Sequence, residues 1–352
     1  MRSGTAPCGA RYAVRRSGSA VGYCALSIRC GTRDEEGFHG GIAHFTEHTL
    51  FRGTKRKSAS VINSYLDRLG GELNAYTTKE EIVIHATVLK EDLGKAARLL
   101  FELATEATFP DAEIETERGV VLDEIISYKD NPYEDVYDKF EGMLFEGHPL
   151  GKPILGTAAT VKRITPDELR RFVRTFFVPA RMAFTVVADI DEKVLEKKVL
   201  RLMGKVFDEI PGQVGDDVKP VTPGISSSVT PFDKTVDKRH HEVNAVIGSR
   251  GPSLYDEELL LRGLEGALGK RFLPQAGEDA VDAREAALEV GFVAAEADGD
   301  AAGFGVLGVG AFHVVHPSVL LPQFPAQEGV RTGPAQDVAQ QGRRDAVLLV
   351  VE

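Results

Sequence analysis

The sequence predicts a fold of mixed helices and strands in more than one domain, on three observations. Short segments rich in β-branched residues or alternating in polarity occur at 20–27, 73–77, 81–89 and 181–190. Segments of helical periodicity lie between and after them, several with start and stop signals of their own. At 352 residues the chain is also longer than one hydrophobic core comfortably serves.

Residues 1–33 carry several arginines and no acid, which an organelle transit peptide or a first β-hairpin could explain. Alternation is poor over 11–19. The segment 20–27 reads as a strand that runs into the next element without a cleavage-site pattern, so the strand reading is favoured. Residues 38–52 read as a helix from the spacing of Phe45, Leu50 and Phe51. A second amphipathic helix is predicted over 58–69, with Val61, Ile62, Tyr65 and Leu69 on its apolar face and Gly70-Gly71 as its stop. After the strands at 73–77 and 81–89, helices are predicted over 91–107, 111–128 (opened by Pro110) and 133–146. Thr165-Pro166-Asp167-Glu168 is a start signal for a helix over 165–177, because threonine can cap and proline suits the first turn. A strand at 181–190 and a helix at 192–207 complete this part.

The stretch 211–233 is rich in Pro, Gly, Ser and Asp without periodicity and reads as a linker. The expected organisation is a first domain over 1–210, the linker, the start of a second domain over 234–270, and a divergent segment over 271–352. The second domain should open with a strand at 242–248 and a helix at 254–268. From residue 271 the composition shifts: the last lysine is Lys270, all tyrosines precede it, and neither Asn nor Ile follows.

A formal charge of -11 without a basic stripe argues against a nucleic-acid partner. No apolar run approaches the length of a membrane span, so a soluble chain is expected. Cys8, Cys24 and Cys30 have no metal-site spacing and are expected to be reduced thiols packed as small apolar residues. The segment around Gly303–Gly310 lacks the strand-turn-helix context of a phosphate-binding loop.

The strongest chemical signal is His44-Phe45-Thr46-Glu47-His48, an H-x-x-E-H sequence on a predicted helix. Positions four apart share a face, so both imidazoles can reach one metal ion. Glu47, offset around the helix, can face a water activated by that ion. A catalytic zinc needs a third protein ligand from another element. The segment 115–124 offers Glu117 and Glu124, seven apart and on one helix face, with Val120 and Val121 able to face the core. A charged surface helix is the competing explanation. His39, His148 and the pair His240-His241 read as loop or surface histidines.

The run Gly41-Ile42-Ala43-His44-Phe45-Thr46-Glu47-His48-Thr49-Leu50-Phe51-Arg52-Gly53-Thr54 resembles the zinc helix of the pitrilysin-type (inverzincin) metallopeptidases, above all their processing-peptidase-like branch. Cys30-Gly31-Thr32-Arg33-Asp34-Glu35, Leu73-Asn74-Ala75-Tyr76-Thr77, Glu117 to Glu124 and Gly147-His148-Pro149-Leu150-Gly151 agree with that family in order and spacing. The separation of Glu124 from His48 (124 − 48 = 76) is the family's interval to its third ligand. The resemblance covers about residues 10–268.

It implies an α+β fold, in which an antiparallel sheet flanked by helices forms a metallopeptidase domain and a partial or divergent domain of similar type follows. It implies one zinc ion held by His44, His48 and Glu124, with Glu47 as general base and Glu117 as a carboxylate that orients the ligands. Asn74 and Ala75 match an edge strand whose backbone pairs with an extended peptide. The implied activity is endopeptidase cleavage of peptides or unfolded segments. Implied partners are that substrate and a second copy or a companion subunit of the same family. The alternative is a non-catalytic peptide-binding subunit or a fragment, because the family's second-domain Arg and Tyr segment has no match here and no tyrosine follows Tyr255. A bacterial cytoplasm is the favoured location, because the resemblance begins so near Met1, with a mitochondrial matrix as the other.

Overall fold

The computed structural model describes residues 1–208, 233–236, 243–248, 295–297 and 347–351. Met1–Ile126 with His148–Gly224 form one compact unit, and Ser127–Gly147 with Ile225–Glu352 form a second.

The chain opens with β1 (Arg2–Thr5), β2 (Arg11–Arg16) and β3 (Val21–Ile28). Here β1 pairs antiparallel with β2, so the basic N-terminus forms a hairpin, and the poor alternation of 11–19 hid its second strand. In β2 only Tyr12 and Val14 turn to the core, while the arginines stay outside. Next come α1 (Ile42–Leu50), α2 (Ala59–Asn63), β4 (Glu72–Thr77) and β5 (Ile82–Leu89). They are followed by α3 (Leu93–Glu106), α4 (Asp111–Asp130), α5 (Pro132–Leu144), α6 (Ala158–Val161) and α7 (Pro166–Phe176). The first unit closes with β6 (Met182–Ala188) and α8 (Glu192–Asp208).

Its six-stranded sheet has the order β1-β2-β6-β3-β5-β4. Pairing is antiparallel except between β2 and β6, since β6 returns from a long excursion to lie beside β2 and β3. Alternation in β3 sends Gly22, Cys24, Leu26 and Ile28 to the buried side and leaves Tyr23 exposed. Helix α3 covers that buried side. Leu93 lies where a side chain on Gly22 would have to go, and Phe101 is fully buried beside Phe184 and Phe207 at 4.9 and 5.8 Å between ring centres. Cys24 and Cys30 are buried free thiols within this core, and Cys8 is half-buried.

Two local expectations are corrected. The single helix expected over 58–69 is broken: α2 stops at Asn63, a separate 3-10 turn spans Asp67–Leu69, and Gly70 ends it in the left-handed region at φ 65°. The hydroxyl of Ser64 bonds back to the carbonyl of Ser60 (2.9 Å), the local competition by which serine weakens a helix interior. Val61, placed on the apolar face from sequence, is exposed, whereas Ile62 and Leu66 are buried. Of the two valines of α4 expected in the core, only Val121 faces it. Val120 is 47% exposed, because Ile114, Glu117, Val121 and Ile125 form the packed stripe and Val120 falls between them and solvent.

In the second unit β7 (Asp233–Val236), β8 (Val243–Gly248), β9 (Ala295–Ala297) and β10 (Val347–Val351) form a sheet in the order β7-β10-β8-β9. Val136, Phe140 and Leu144 of α5 bury themselves with Val246 of β8. The linker expected at 211–233 lies outside the described residues except for Asp233, and so do the helix expected at 254–268, His240-His241 and the Gly303–Gly310 segment.

Candidate metal centre

Helix α1 is sequestered on nearly every side: Ile42, Ala43, Phe45 and Leu50 are inaccessible to solvent. Its N-cap is Gly41 at φ 89°, where a Cβ would fall 2.6 Å from the Leu155 carbonyl oxygen, so only glycine fits. Near its other end, the hydroxyl of buried Thr49 donates to the carbonyls of Phe45 (2.7 Å) and Thr46 (3.1 Å). The helix packs against β4, β5 and α7, which fixes the face it turns to solvent.

His44, itself buried, and His48, half-buried, lie side by side at that face, their rings meeting edge-on at 4.6 Å between centres. Glu124 of α4 reaches them from the neighbouring helix. Its Oε2 lies 3.5 Å from His44 Nε2 and 3.3 Å from His48 Nε2. These three atoms lie within 4.8 Å of one another, and no other His, Cys, Asp or Glu group among the described residues converges in this way. The separations exceed those of charge-assisted hydrogen bonds, ~2.7–2.9 Å. They match the edge of a zinc tetrahedron, which for bonds of ~2.0–2.1 Å is ~3.3–3.4 Å. Glu124 Oε2 is buried without a hydrogen-bond partner. A lone-pair oxygen held unsatisfied between two imidazole nitrogens suits a divalent cation.

The electrostatics point the same way. Burial favours the neutral carboxyl of Glu124, but the two imidazoles of His44 and His48 beside it outweigh that and hold the group well below the ordinary carboxylate range. Burial opposes protonation of His48, yet Glu124, Glu47 and Glu117 together raise it above its ordinary value. Positive charge is therefore favoured where the three ligand atoms meet.

Glu117 is 1% exposed and sits between His48 Nδ1 (3.2 Å) and Arg52 Nη2 (2.5 Å). It thus contacts the nitrogen of His48 that does not face Glu124. Glu47, adjacent to His48, accepts a hydrogen bond at Oε2 from Thr77 Oγ1 (2.5 Å). Asn74 and Ala75 lie on β4, the edge strand beside α1, opposite His85 and Ile84 of β5. The Ala75 N–H donates to its neighbour's Asn74 Oδ1 (2.8 Å). Two contributors were not singled out from sequence, Arg52 and Thr77. Arg52 stands four residues after His48 and so continues its face, a signal that was available. Thr77 carries no such local signal, because strand pairing alone brings it to Glu47.

His39 stands apart from this cluster. Its Nδ1 and its backbone N–H each lie 2.8 Å from an oxygen of buried Glu168, which makes it a paired loop histidine. His148 accepts from the Leu150 N–H (3.2 Å) at the start of a 3-10 turn.

Residues 11–158 match the family model described as Insulinase (Peptidase family M16), and residues 163–268 match Peptidase M16 inactive domain. The chain belongs to peptidase family M16. An uncharacterized zinc protease of Streptomyces coelicolor is 31% identical to this M16 chain over 243 residues, 68% of the chain and 52% of the relative. The uncharacterized zinc protease YmxG of Bacillus subtilis is 31% identical over 258 residues, 72% and 60% respectively. A probable mitochondrial-processing peptidase subunit beta of Arabidopsis thaliana is 31% identical over 206 residues, 58% and 39%. The chain thus spans about half the length of the curated relatives it matches. Among solved structures, a protease from Helicobacter pylori shares the fold at a TM-score of 0.65 and 22% identity, over 73% of this chain and 62% of that one. The periplasmic protease PqqL from Escherichia coli does so at 0.63 and 23%, over 75% and 30%.

Proposed function

We propose that this M16 chain is a zinc-dependent endopeptidase, or the metal-bearing half of one, acting on peptides or unfolded protein segments. The observation that carries the reading is the convergence of His44 Nε2, His48 Nε2 and Glu124 Oε2, with Glu47 on the adjacent helical position. Zinc held by these residues would supply Lewis acidity, polarising a peptide carbonyl and making water a stronger acid.

The chain's own groups do the rest. Glu47 takes the proton as the water oxygen bonds to the carbonyl carbon, and returns it to the amine nitrogen as the C–N bond breaks. Thr77 holds one carboxylate oxygen of Glu47, which leaves the other for the proton. Glu117, braced by Arg52, keeps the His48 ring in register. The outer edge of β4 at Asn74 and Ala75 offers backbone groups to an extended peptide, which brings its scissile bond towards α1.

A second copy, or a companion subunit as the name of the Arabidopsis relative describes, would enclose the peptide. The relatives include bacterial proteases and a mitochondrial subunit; a bacterial cytoplasm is the compartment we propose. None of the described helices is long and apolar enough to cross a membrane.

The test is cleavage of an internally quenched, unstructured peptide by the purified chain beside Glu47→Gln, with zinc measured on both. Cleavage that disappears in the variant while zinc stays bound supports the reading. One bound zinc with no cleavage by either protein favours the alternative, a peptide-binding subunit that needs a partner to cut.

A further inference from the structure

Glu35 is a buried acid that the reaction described above leaves without a role. It is 1% exposed, and its carboxylate accepts from the backbone N–H of Gly41 (3.0 Å to each oxygen) and of Ala43 (3.1 Å). Those N–H groups belong to the first turn of α1, where the N-cap is a glycine with no side chain to satisfy them. An acid from the preceding loop therefore fills the capping place, at the end of the helix where negative charge is favoured. Nine residues separate Glu35 from the first histidine of the centre (44 − 35 = 9), and it touches none of the ligands.

We infer that Glu35 is a positioning residue for the metal centre, anchoring the start of α1 so that His44, Glu47 and His48 are presented at the depth and rotation that meet Glu124. The inference rests on the reading of that centre as a zinc site. Gly41 and Gly156 pack too closely to give the helix any other stop at this end: a Cβ on Gly156 would lie 2.4 Å from the Gly40 carbonyl oxygen. The charge of Glu35 matters, because an ionised carboxylate accepts hydrogen bonds more strongly than a neutral one. Burial pushes its pKa up, while the N–H groups of Ala43 and Gly41 and the cations Lys152 and Lys79 draw it back, leaving it at about 7. Glu35 should therefore gain charge as pH rises from 6 to 8.

The experiment is zinc affinity of the full chain, by competition with a chromophoric chelator, for the wild type, Glu35→Gln and Glu35→Asp at pH 6 and pH 8. Protonation of the ligands weakens binding in all three alike, so the ratio of affinities isolates position 35. We expect Glu35→Gln to bind about tenfold more weakly than wild type at pH 8, with a smaller ratio at pH 6. Glu35→Asp, which keeps the charge but draws it back by a methylene, should lose affinity and keep the pH dependence. Amide exchange of the metal-free proteins gives a second readout, with Gly41 and Ala43 losing protection in Glu35→Gln at pH 8. Wild-type affinity in Glu35→Gln at pH 8, or unchanged protection of Gly41 and Ala43 in that variant, overturns the inference. A wild-type chain that takes up no zinc, yet shows this exchange difference, overturns the zinc reading and leaves the anchoring of α1 standing.

Discussion

Thr77 Oγ1 donates a hydrogen bond of 2.5 Å to Glu47 Oε2, tying the last residue of the edge strand β4 to the acid beside His48. The strand that offers its outer edge to a peptide is thereby the strand that holds the proposed general base. Thr77→Val keeps the shape and removes the donor. It should lower kcat by about tenfold, the scale of one hydrogen bond to a charged group, with KM and zinc content unchanged. Thr77→Ser should stay close to wild type. Steady-state kinetics on a quenched peptide read both, and a Thr77→Val enzyme with unchanged kcat would remove threonine from the mechanism.

Arg52 is the only arginine or lysine within ion-pair distance of Glu117 among the described residues, and Glu117 is almost fully buried. Arg52→Met removes the ion pair that fixes the Glu117 carboxylate, so Glu117 should hold the His48 ring less firmly. Zinc affinity should fall about 10–100-fold while the chain remains folded. Glu117→Gln should cause a loss of similar size, and the double variant should lose little more than either single one, because the two side chains act as one unit. Fully additive losses in the double variant would show that they act separately.

Much of the centre could be read from the chain because its information is local. The i, i+4 pair His44 and His48 and the seven-residue spacing of Glu117 and Glu124 are properties of single helices, and helical geometry turns spacing directly into a shared face. The edge position of Asn74 and Ala75 came through resemblance, and the order of the strands agrees with it. What escaped was tertiary. Thr77 meets Glu47 only because β4 lies beside α1, and Glu35, though just six residues before Gly41, reaches it through a loop whose path no periodicity announces. The missed strands β1 and β2 lie at one side of the sheet: β1 buries no residue, and the arginines of β2 leave only Tyr12 and Val14 as an apolar signal. The broken helix at 58–69 failed for a related reason, since Ser64 competes for the backbone in a way that apolar periodicity does not register.

Gly41 starts α1 in the left-handed region, and an added Cβ would meet the Leu155 carbonyl at 2.6 Å. Backbone strain and this clash combine in Gly41→Ala. We expect a destabilisation of about 2–4 kcal/mol, seen as a clear drop in the melting temperature of the metal-free chain. Zinc should restore part of the loss, because binding to the folded state alone shifts the equilibrium by mass action. Gly37→Ala is the control: its φ is also positive, at 80°, but nothing lies within 4 Å of the added atom. It should cost only the backbone term, about 1 kcal/mol. Equal losses in the two variants would mean that the Leu155 contact carries no energy.

The thiols offer a test of the core that is independent of the metal. Burial pushes Cys24 up to about 12, so it stays protonated through the neutral and mildly alkaline range. Cys30, also buried, is raised by the same cause and further by the neighbouring Asp34. The reactive species is the thiolate, so at pH 8 a thiol of pKa 12 should react about a thousandfold more slowly than an ordinary one, before steric shielding is counted. Cys8 is half-buried, and alkylation followed by mass spectrometry should label it first and the other two only after denaturant is added. The sign also fixes a stability effect. A raised folded-state pKa favours the neutral thiol, so this contribution is complete below the ordinary value of 9.0 and is lost as pH climbs towards 12. Cys24→Ala should flatten the alkaline fall in melting temperature relative to wild type. Labelling of Cys24 in the native chain at the rate of Cys8 would contradict the placement of β3 beneath α3.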